Sequence, residues 1–456
     1  MPNFETIIGL EIHAQLKTKR KMFCGCNNDA QGKEPNLVVC PRCIGMPGTL
    51  PVANKEAIIM TIQTGLAFNC EIPETSKFDR KHYFYPDLPK GYQISQYDQP
   101  ICQKGSVKIQ NTNSEIRNIR LNRIHLEEDA GKLIHPAGRD YSLVDLNRSS
   151  TPLMEIVTEP DLRSPEEAKI LMKHIQAELI NQGVSDADME KGHMRCDANI
   201  STRRGQETTP IVEIKNINSF RFLQKALEFE AIRQKDEFES LKTKKGKITR
   251  GFDSKKGETY EQRTKEEAAD YRYFPEPDLP PIESTELIKE ASLRVKEPAE
   301  KNLEHIITSV GVNKEEAQKI LSDNNIKQII TKNINEPWLG NLAKLLIHSP
   351  ELAKKDDVLL EEYAEAIHNG SISSSLAKQQ IIDEVRISNS NSGNDLSQQI
   401  REFMIKLIKD NPDAVAKYKS GKSNLFGFFV GQLMKEFRGK VEPSIVNKIV
   451  EEELQK

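Results

Sequence analysis

Six short stretches of the chain alternate apolar with polar side chains, and each sets at least one carboxylate into the alternation: IIGLEIHAQL, IRLNRIHLEED, YSLVDLN, LMEIVTE, MRCDANIST and PIVEIKN. A repeat of two sends successive side chains to opposite faces of a strand. These stretches therefore specify a sheet with one apolar face for the core and one face rich in acid. Glu11 and His13, two apart, share a face, as do Asp197 and Asn199. Glu127, Glu128 and Asp129 crowd at the end of one run, and Glu155 sits inside LMEIVT. A carboxylate in such surroundings is costly unless something compensates it. Two compensations are open. One is a cation on a concave face, where hard oxygen ligands favour Mg²⁺ or Mn²⁺; the other is salt bridges to Lys and Arg. His13 is a poor ligand for Mg²⁺, which favours Mn²⁺ or an indirect role.

Helices punctuate the strands. Ser164-Pro165-Glu166-Glu167 combines a capping box with proline at the first helical position. A second helix is expected after Ser219, with Phe222, Leu223, Ala226, Leu227 and Phe229 forming its apolar face, and a third after Asn54. Lys242 to Lys265 holds nine basic and three acidic residues around SKKGE, which reads as a basic hairpin arm. After the proline-rich YRYFPEPDLPP the pattern changes, near residue 285, and no strand is convincing from 286 to 385. ISNSNSGNDLSQQ is a polar linker, and 399–456 reads as a small helical module. Its stretch from Arg401 to Lys440 carries nine basic and four acidic residues, so phosphate contacts are expected from Lys417, Lys419, Lys422, Lys435 and Arg438.

With 37% hydrophobic residues, 29% charged and a net charge of −3, the 456-residue chain carries no overall charge that names a partner. No run of eighteen apolar residues spans a membrane, and the start lacks the pattern of a signal peptide. A cytosolic protein is expected, in which clustered cysteines mean metal or chemistry rather than disulfides. Cys24-x-Cys26 and Cys40-x-x-Cys43, thirteen residues apart, suit a closed tetrahedral Zn²⁺ site with a structural role. Four unrelated core thiols are the weaker reading. Nucleotide-binding loops are missing: AKYKSGKS at 416–423 has Ala416 where the first glycine of a phosphate loop belongs. There is no G-x-S-x-G elbow and no amidase nucleophile segment.

The stretch HYFYPDLPKGYQISQYDQP, beside Lys81, is too polar and proline-rich for a buried helix and too aromatic for an idle loop. Together with GLEIHAQL, IHLEEDAGK, YSLVDLNRSSTPLMEIVTEPD, MRCDANIS, EIKNINSF, YRYFPEPDLPP and GKSNLFGFFVGQLMK it resembles, in order and over nearly the whole chain, the B subunits of the aspartyl/glutamyl-tRNA(Asn/Gln) amidotransferases, the GatB family. The resemblance implies an α+β fold: a large sheet-based cradle domain over 1–288 with a zinc-pinned loop, an all-α domain over 289–398 and a small helical tail module over 399–456. It implies ATP-dependent phosphorylation of the side-chain carboxylate of Glu-tRNA(Gln) or Asp-tRNA(Asn), followed by amidation. The ammonia would come from a partner amidase subunit (A), with a small subunit (C) bracing a heterotrimer; neither membrane nor DNA is an expected partner. Carried over by motif, the Mg²⁺ or Mn²⁺ positions fall on Glu11, His13, Glu128 and Glu155, and an ammonia passage on Lys81, Tyr83 and Lys90. The passage and simple packing at a subunit interface are compatible readings of that loop. The alternative for the whole chain is a non-catalytic, zinc-stabilised tRNA-binding subunit.

Overall fold

The alternating stretches build one nine-stranded sheet. The computed structural model of the chain describes residues 4–112, 114–262, 271–383, 392–419, 424–437 and 443–455. The main path of the sheet is made by β1 (Phe4–Gln15), β2 (Cys102–Gln110), β3 (Ile116–Glu128), β4 (Pro152–Thr158), β5 (Met194–Arg204), β6 (Val212–Ile217), β7 (Ile248–Asp253) and β8 (Glu258–Glu261). Their spatial order is β8-β7-β6-β5-β1-β4-β3-β2, with the short strand Glu207–Thr208 paired to β5 off this path. All neighbours on the path run antiparallel except β6 and β7. YSLVDLN is the exception among the six stretches. Its strand, Leu143–Asp145, pairs only with Lys132–Ile134 in a separate ribbon, and Tyr141 and Leu143 are exposed.

One face of the sheet is the core. Ile8, Leu10, Ile12 and Ala14 of β1, Met154 and Ile156 of β4, and Met194, Cys196, Ala198 and Ile200 of β5 are all buried. They are covered by α1 (Lys55–Ala67), α2 (Pro165–Gln182) and α3 (Phe220–Asp236). Each helix starts where the sequence says. Asn54 accepts from the Glu56 amide at 3.0 Å and Ser164 from the Glu167 amide at 3.1 Å, caps of about 1 kcal/mol each. The return half of the capping box goes elsewhere: Glu167 accepts from the Arg163 amide and from the Arg117 guanidinium.

A β-bulge decides which residues of β3 face which way. The β3–β4 register shifts between Leu121 and Arg123. Before it, Ile119 and Leu121 point into the core; after it, Ile124 and Leu126 do. The extra residue reverses the alternation, which turns Arg123, His125 and Glu127 to the polar face.

The first compact unit runs from Met1 to Ala299. The expected limit at 288 falls inside α4 (Thr285–Ser292), which packs on α1. The segment beyond is tied to the end of α2: Asn181 donates to the Glu297 carbonyl at 2.8 Å, and the Ala299 amide to Glu178 at 2.8 Å. The second unit, Glu300–Lys456, is helical among the described residues. It holds two distinct apolar clusters. One extends from Ile306 to Ile381 around Leu342, Leu346, Leu360 and Tyr363, and the other from Ile400 to Leu454 around Met404, Phe429, Leu433 and Val450. No described helix is long and apolar enough to cross a membrane.

Candidate catalytic face and cysteine site

The face of the sheet opposite the helices gathers the charged residues of adjacent strands. His13 of β1 stands opposite Glu155 of β4, and Glu155 stands opposite His125 of β3, so three strands place one row of side chains. His13 Nε2 lies 3.4 Å from Glu155 Oε2 and 3.8 Å from Glu127 Oε1. The ligand atoms of His13, Glu127 and Glu155 all lie within 4.8 Å of one another. On an octahedral Mg²⁺ with bonds of about 2.1 Å, neighbouring ligand atoms stand about 3 Å apart, so a small closure would seat a hard cation. His13 Nδ1 is buried with no hydrogen-bond partner. Burial opposes the ionised form of Glu155, but His125 and His13 outweigh it and hold its carboxyl well below the usual range. Burial likewise opposes a charged His13, yet Glu155 and Glu127 raise it above the ordinary histidine value.

Glu128 is placed differently from the expectation. It forms an ion pair with Lys90 and accepts from the Ile94 amide at 3.0 Å, and its Oε2 is buried without a partner. Counted from Ile119 and Leu121 in unbroken alternation, Glu128 would share the polar face. The bulge gives that place to Glu127. Glu11 belongs to a neighbouring group with Asp197 and Glu213, whose ligand atoms also lie within 4.8 Å. There Asn199 donates to Glu11 at 2.8 Å, Lys215 bridges Asp197 and Glu213 at 2.9 Å each, and Lys247 reaches Glu213 at 2.7 Å. Cations of the fold already compensate much of this second group.

The aromatic stretch meets the polar face from a three-stranded sheet of Asp79–His82, Tyr92–Ser95 and Phe274–Pro275. Ser95 Oγ donates to Glu127 at 3.3 Å. The YRYF segment, read from sequence as a domain terminator, packs directly on this loop. Lys81 Nζ lies 4.9 Å over the Tyr271 ring, Tyr83 meets Tyr271 edge-on at 6.1 Å, and Tyr97 stacks on Tyr273 at 4.2 Å. Arg80 clamps Glu276 with bonds of 2.8 and 2.7 Å. Burial opposes the Lys81 ammonium, but Glu127, Tyr273 and Glu155 hold its pKa above the ordinary lysine value. Burial pushes the Tyr83 phenol up. Phe84 is 89% exposed.

The four cysteines converge as their spacing predicts, with all sulfurs within 4.8 Å of one another. A tetrahedron with Zn–S bonds of about 2.3 Å has edges of about 3.8 Å. The Cys40 amide points at Cys43 Sγ at 3.0 Å. Hydrogen bonding from Cys24, the Cys40 amide and the nearby Lys21 hold the Cys43 thiol down to about 5, while Cys24 is driven up. Lys21 is fully buried, and among the described residues its ammonium donates to the Val38 carbonyl at 2.8 Å and reaches Cys43 Sγ at 3.9 Å. A negatively charged four-thiolate centre would compensate this buried ammonium. Gly45 ends the turn at φ +69°, where a Cβ would come 2.7 Å from Lys90 Cγ, so the cysteine loop leans on the aromatic stretch.

Of the basic elements, the hairpin forms as β7 and β8, but part of its charge is already paired with acids of the chain: Lys242 with Glu207 and Glu239, Lys247 with Glu213, and Arg250 with Glu230. Lys244, Lys245, Lys255 and Lys256 are exposed. Lys417 and Lys419 lie on the helix Pro412–Lys419, and Lys435 is exposed on Asn424–Glu436. Lys422 and Arg438 lie outside the described residues.

A family model described as the GatB/GatE catalytic domain matches residues 6–290, and one described as the GatB domain matches 338–454. The chain is 43% identical to the B subunit of the aspartyl/glutamyl-tRNA(Asn/Gln) amidotransferase of Persephonella marina, over 98% of this chain and 99% of that protein. It is 42% identical to the corresponding protein of Thermodesulfovibrio yellowstonii, over 98% of both, and 41% identical to that of Dehalococcoides mccartyi, over the full length of both.

Proposed function

Because the chain belongs to the GatB family, we propose that it is the B subunit of a tRNA-dependent amidotransferase and carries the site that activates the misplaced amino acid. The substrate is Glu on tRNA(Gln) or Asp on tRNA(Asn). A side-chain carboxylate is a poor electrophile, so ammonia cannot displace its oxygen directly. One carboxylate oxygen attacks the γ-phosphorus of ATP, ADP leaves, and an acyl phosphate forms. Ammonia then adds to the acyl carbon, inorganic phosphate departs with the C–O bond, and the nitrogen loses a proton to give the amide.

The observation that carries this reading is the convergence of His13, Glu127 and Glu155 on the charged face beside Lys81. These three would hold Mg²⁺ or Mn²⁺, which supplies the charge neutralisation and alignment that phosphoryl transfer needs. Lys81, held cationic, offers a second positive charge for phosphate oxygens. Lys81, Tyr83 and Lys90 also line the wall that the proline-rich stretch stiffens, a fitting course for ammonia from the partner amidase. The cysteine quartet would hold Zn²⁺ as a closed structural centre with no open position for substrate.

The test uses the complex with its amidase and small subunits, given ATP, Mg²⁺, misacylated Glu-tRNA and ammonium in place of glutamine. Amidated tRNA with matching ADP is expected. Absence of both from a folded, tRNA-binding complex would leave only the non-catalytic reading. Within the same assay Glu127→Gln is expected to weaken Mn²⁺ binding and turnover together by about 10²-fold or more, since the metal contributes several kcal/mol. Glu128→Gln should leave Mn²⁺ affinity near wild type; the reverse pattern would restore Glu128 as the ligand.

The tail is proposed to contact the tRNA body through phosphates, with shape rather than base edges as the discriminator. Deleting 399–456 should flatten the dependence of log K for tRNA on log salt by about 0.7–0.9 for each phosphate that the tail neutralises. An unchanged slope would remove the tail from the interface.

A further inference from the structure

His125 was not singled out by its sequence context, yet it is 3% exposed on the charged face, at the far side of Glu155 from His13. β4 lies between β1 and β3, so the backbones carrying the two imidazoles are two strand spacings apart, about 10 Å, and both rings reach the same carboxylate oxygen, Glu155 Oε2. His125 Nε2 is 3.1 Å from Glu155 Oε2 and 4.0 Å from Glu127 Oε2. Its other nitrogen has a donor of its own: Arg123 Nε lies 3.3 Å from His125 Nδ1. Arg123 and His125 face the same way because both follow the bulge.

A guanidinium donates and never accepts, so Nδ1 of His125 must be the acceptor. In the neutral ring the proton then sits on Nε2, aimed at Glu155. We propose that His125 is a positioning residue for the reaction: set in one tautomer by Arg123, it donates Nε2–H to Glu155 and holds that carboxylate in the orientation in which it binds a divalent cation together with His13 and Glu127. This deepens the reading of those three residues as a cation site and rests on it. The imidazole need touch neither the cation nor the substrate. It removes the rotational freedom of a carboxylate flanked by another acid, Glu127, which would otherwise push it away. Hydrogen-bonding partners one step behind a ligand typically change metal affinity by about 10–100-fold when removed.

The experiment measures Mn²⁺ binding by electron paramagnetic resonance on the purified complex, in wild type, His13→Ala, His125→Gln, His125→Leu and Arg123→Met, with thermal unfolding of each. The Mn²⁺ lost on His13→Ala identifies the site and separates it from the neighbouring Glu11 group. His125→Leu is expected to weaken that Mn²⁺ by about 10–100-fold with an unfolding midpoint close to wild type. His125→Gln, which keeps an N–H donor, should recover most of the affinity. Arg123→Met, on a partly exposed side chain, should show a smaller loss by releasing the tautomer, and it serves as the deciding variant if His125→Leu does not fold. Wild-type Mn²⁺ affinity in folded His125→Leu, or in Arg123→Met should the leucine variant fail to fold, overturns the positioning role while leaving the cation site intact. A wild-type complex with no His13-dependent Mn²⁺ overturns the cation reading, and the positioning role falls with it.

Discussion

Replacing His13 by alanine is expected to abolish ATP turnover and amidation together, by about 10³-fold or more, while tRNA affinity stays near wild type. The size follows from what is removed. In the proposed cation site His13 would supply one of three ligand atoms on the charged face, and two carboxylates alone would have to hold the cation with fewer bonds. Loss of several kcal/mol of charge stabilisation is worth about three powers of ten in rate. An unchanged unfolding midpoint separates lost chemistry from lost folding; retained tRNA binding alone would not, because the tail proposed to contact tRNA belongs to the second compact unit. A variant as active as wild type would place the chemistry elsewhere.

The same residue gives a pH signature. His13 is raised above 6.5 by Glu155 and Glu127 despite burial, and Glu155 is lowered below 4.5. In the metal-free protein the raised histidine contributes stability that is complete below pH 6.5 and is lost as pH rises through its folded pKa. The lowered carboxyl contributes stability that is complete above pH 4.5 and is lost as pH falls through its own folded pKa. The pair therefore stabilises the metal-free fold most between about pH 4.5 and 6.5. A cation competes with the proton on His13, so its affinity should fall on acidification. Titration calorimetry of Mn²⁺ binding, in buffers of different ionisation enthalpy, should register proton release in wild type that grows as pH is lowered toward the folded pKa of His13.

Which parts of this site could be read in advance follows from how local each signal is. The four cysteines declare themselves because a close pair of thiols on each of two turns needs no knowledge of the rest of the fold. The starts of α1 and α2 are equally local, resting on Asn54 and Ser164 within three residues of their partners. Glu155 and His13 are legible as polar residues in apolar strands, but that they face each other depends on β1–β4 register, a contact across more than 140 positions. The choice between Glu127 and Glu128 turns on a bulge that no composition or period announces, and family likeness without register points to Glu128 where the strand geometry favours Glu127. His125 was lost for the same reason, its importance lying in a cross-strand neighbour. The basic hairpin is the opposite case. Its charge is plain in the sequence but its partners are not: Lys242 pairs with Glu207 at the surface, Lys247 with Glu213, and Arg250 with the buried Glu230. Of the expected linker, 387–399, residues 387–391 fall outside the described residues, while 392–399 open the helix Ser392–Asp410, so that part is helix rather than linker and the expected start of the tail module falls inside this helix.

Replacing Cys40 by serine should release zinc and cost stability without slowing the chemical step of the molecules that stay folded. Wild type is expected to carry one tightly held zinc per chain. The loop from Met22 to Asn54 has little regular structure of its own: its backbone is tied at Met22 to Ser150 and at Val52 to Phe23, and by Asn147 to Val38. Asn36 adds bonds to Asp145 and the Val144 carbonyl, Ser149 donates to the Cys43 carbonyl, and the four sulfurs draw the two cysteine pairs together. Losing one frees the loop and also strips Lys21 of the anionic centre that compensates its buried ammonium. Uncovering a buried charge costs about 3–5 kcal/mol, and for a unit of this size each kcal/mol lowers the unfolding midpoint by about 2–4 °C. A fall of about 10 °C is the result, with faster proteolysis confined to the cysteine loop. Lys21→Met in the same background should restore part of the loss, because the charge left uncovered is gone. Turnover per folded complex should stay close to wild type, since the sulfur cluster offers no open position. Reduced turnover at full folding would mean that the loop, leaning on Lys90 through Gly45, sets the ammonia wall as well as pinning the fold.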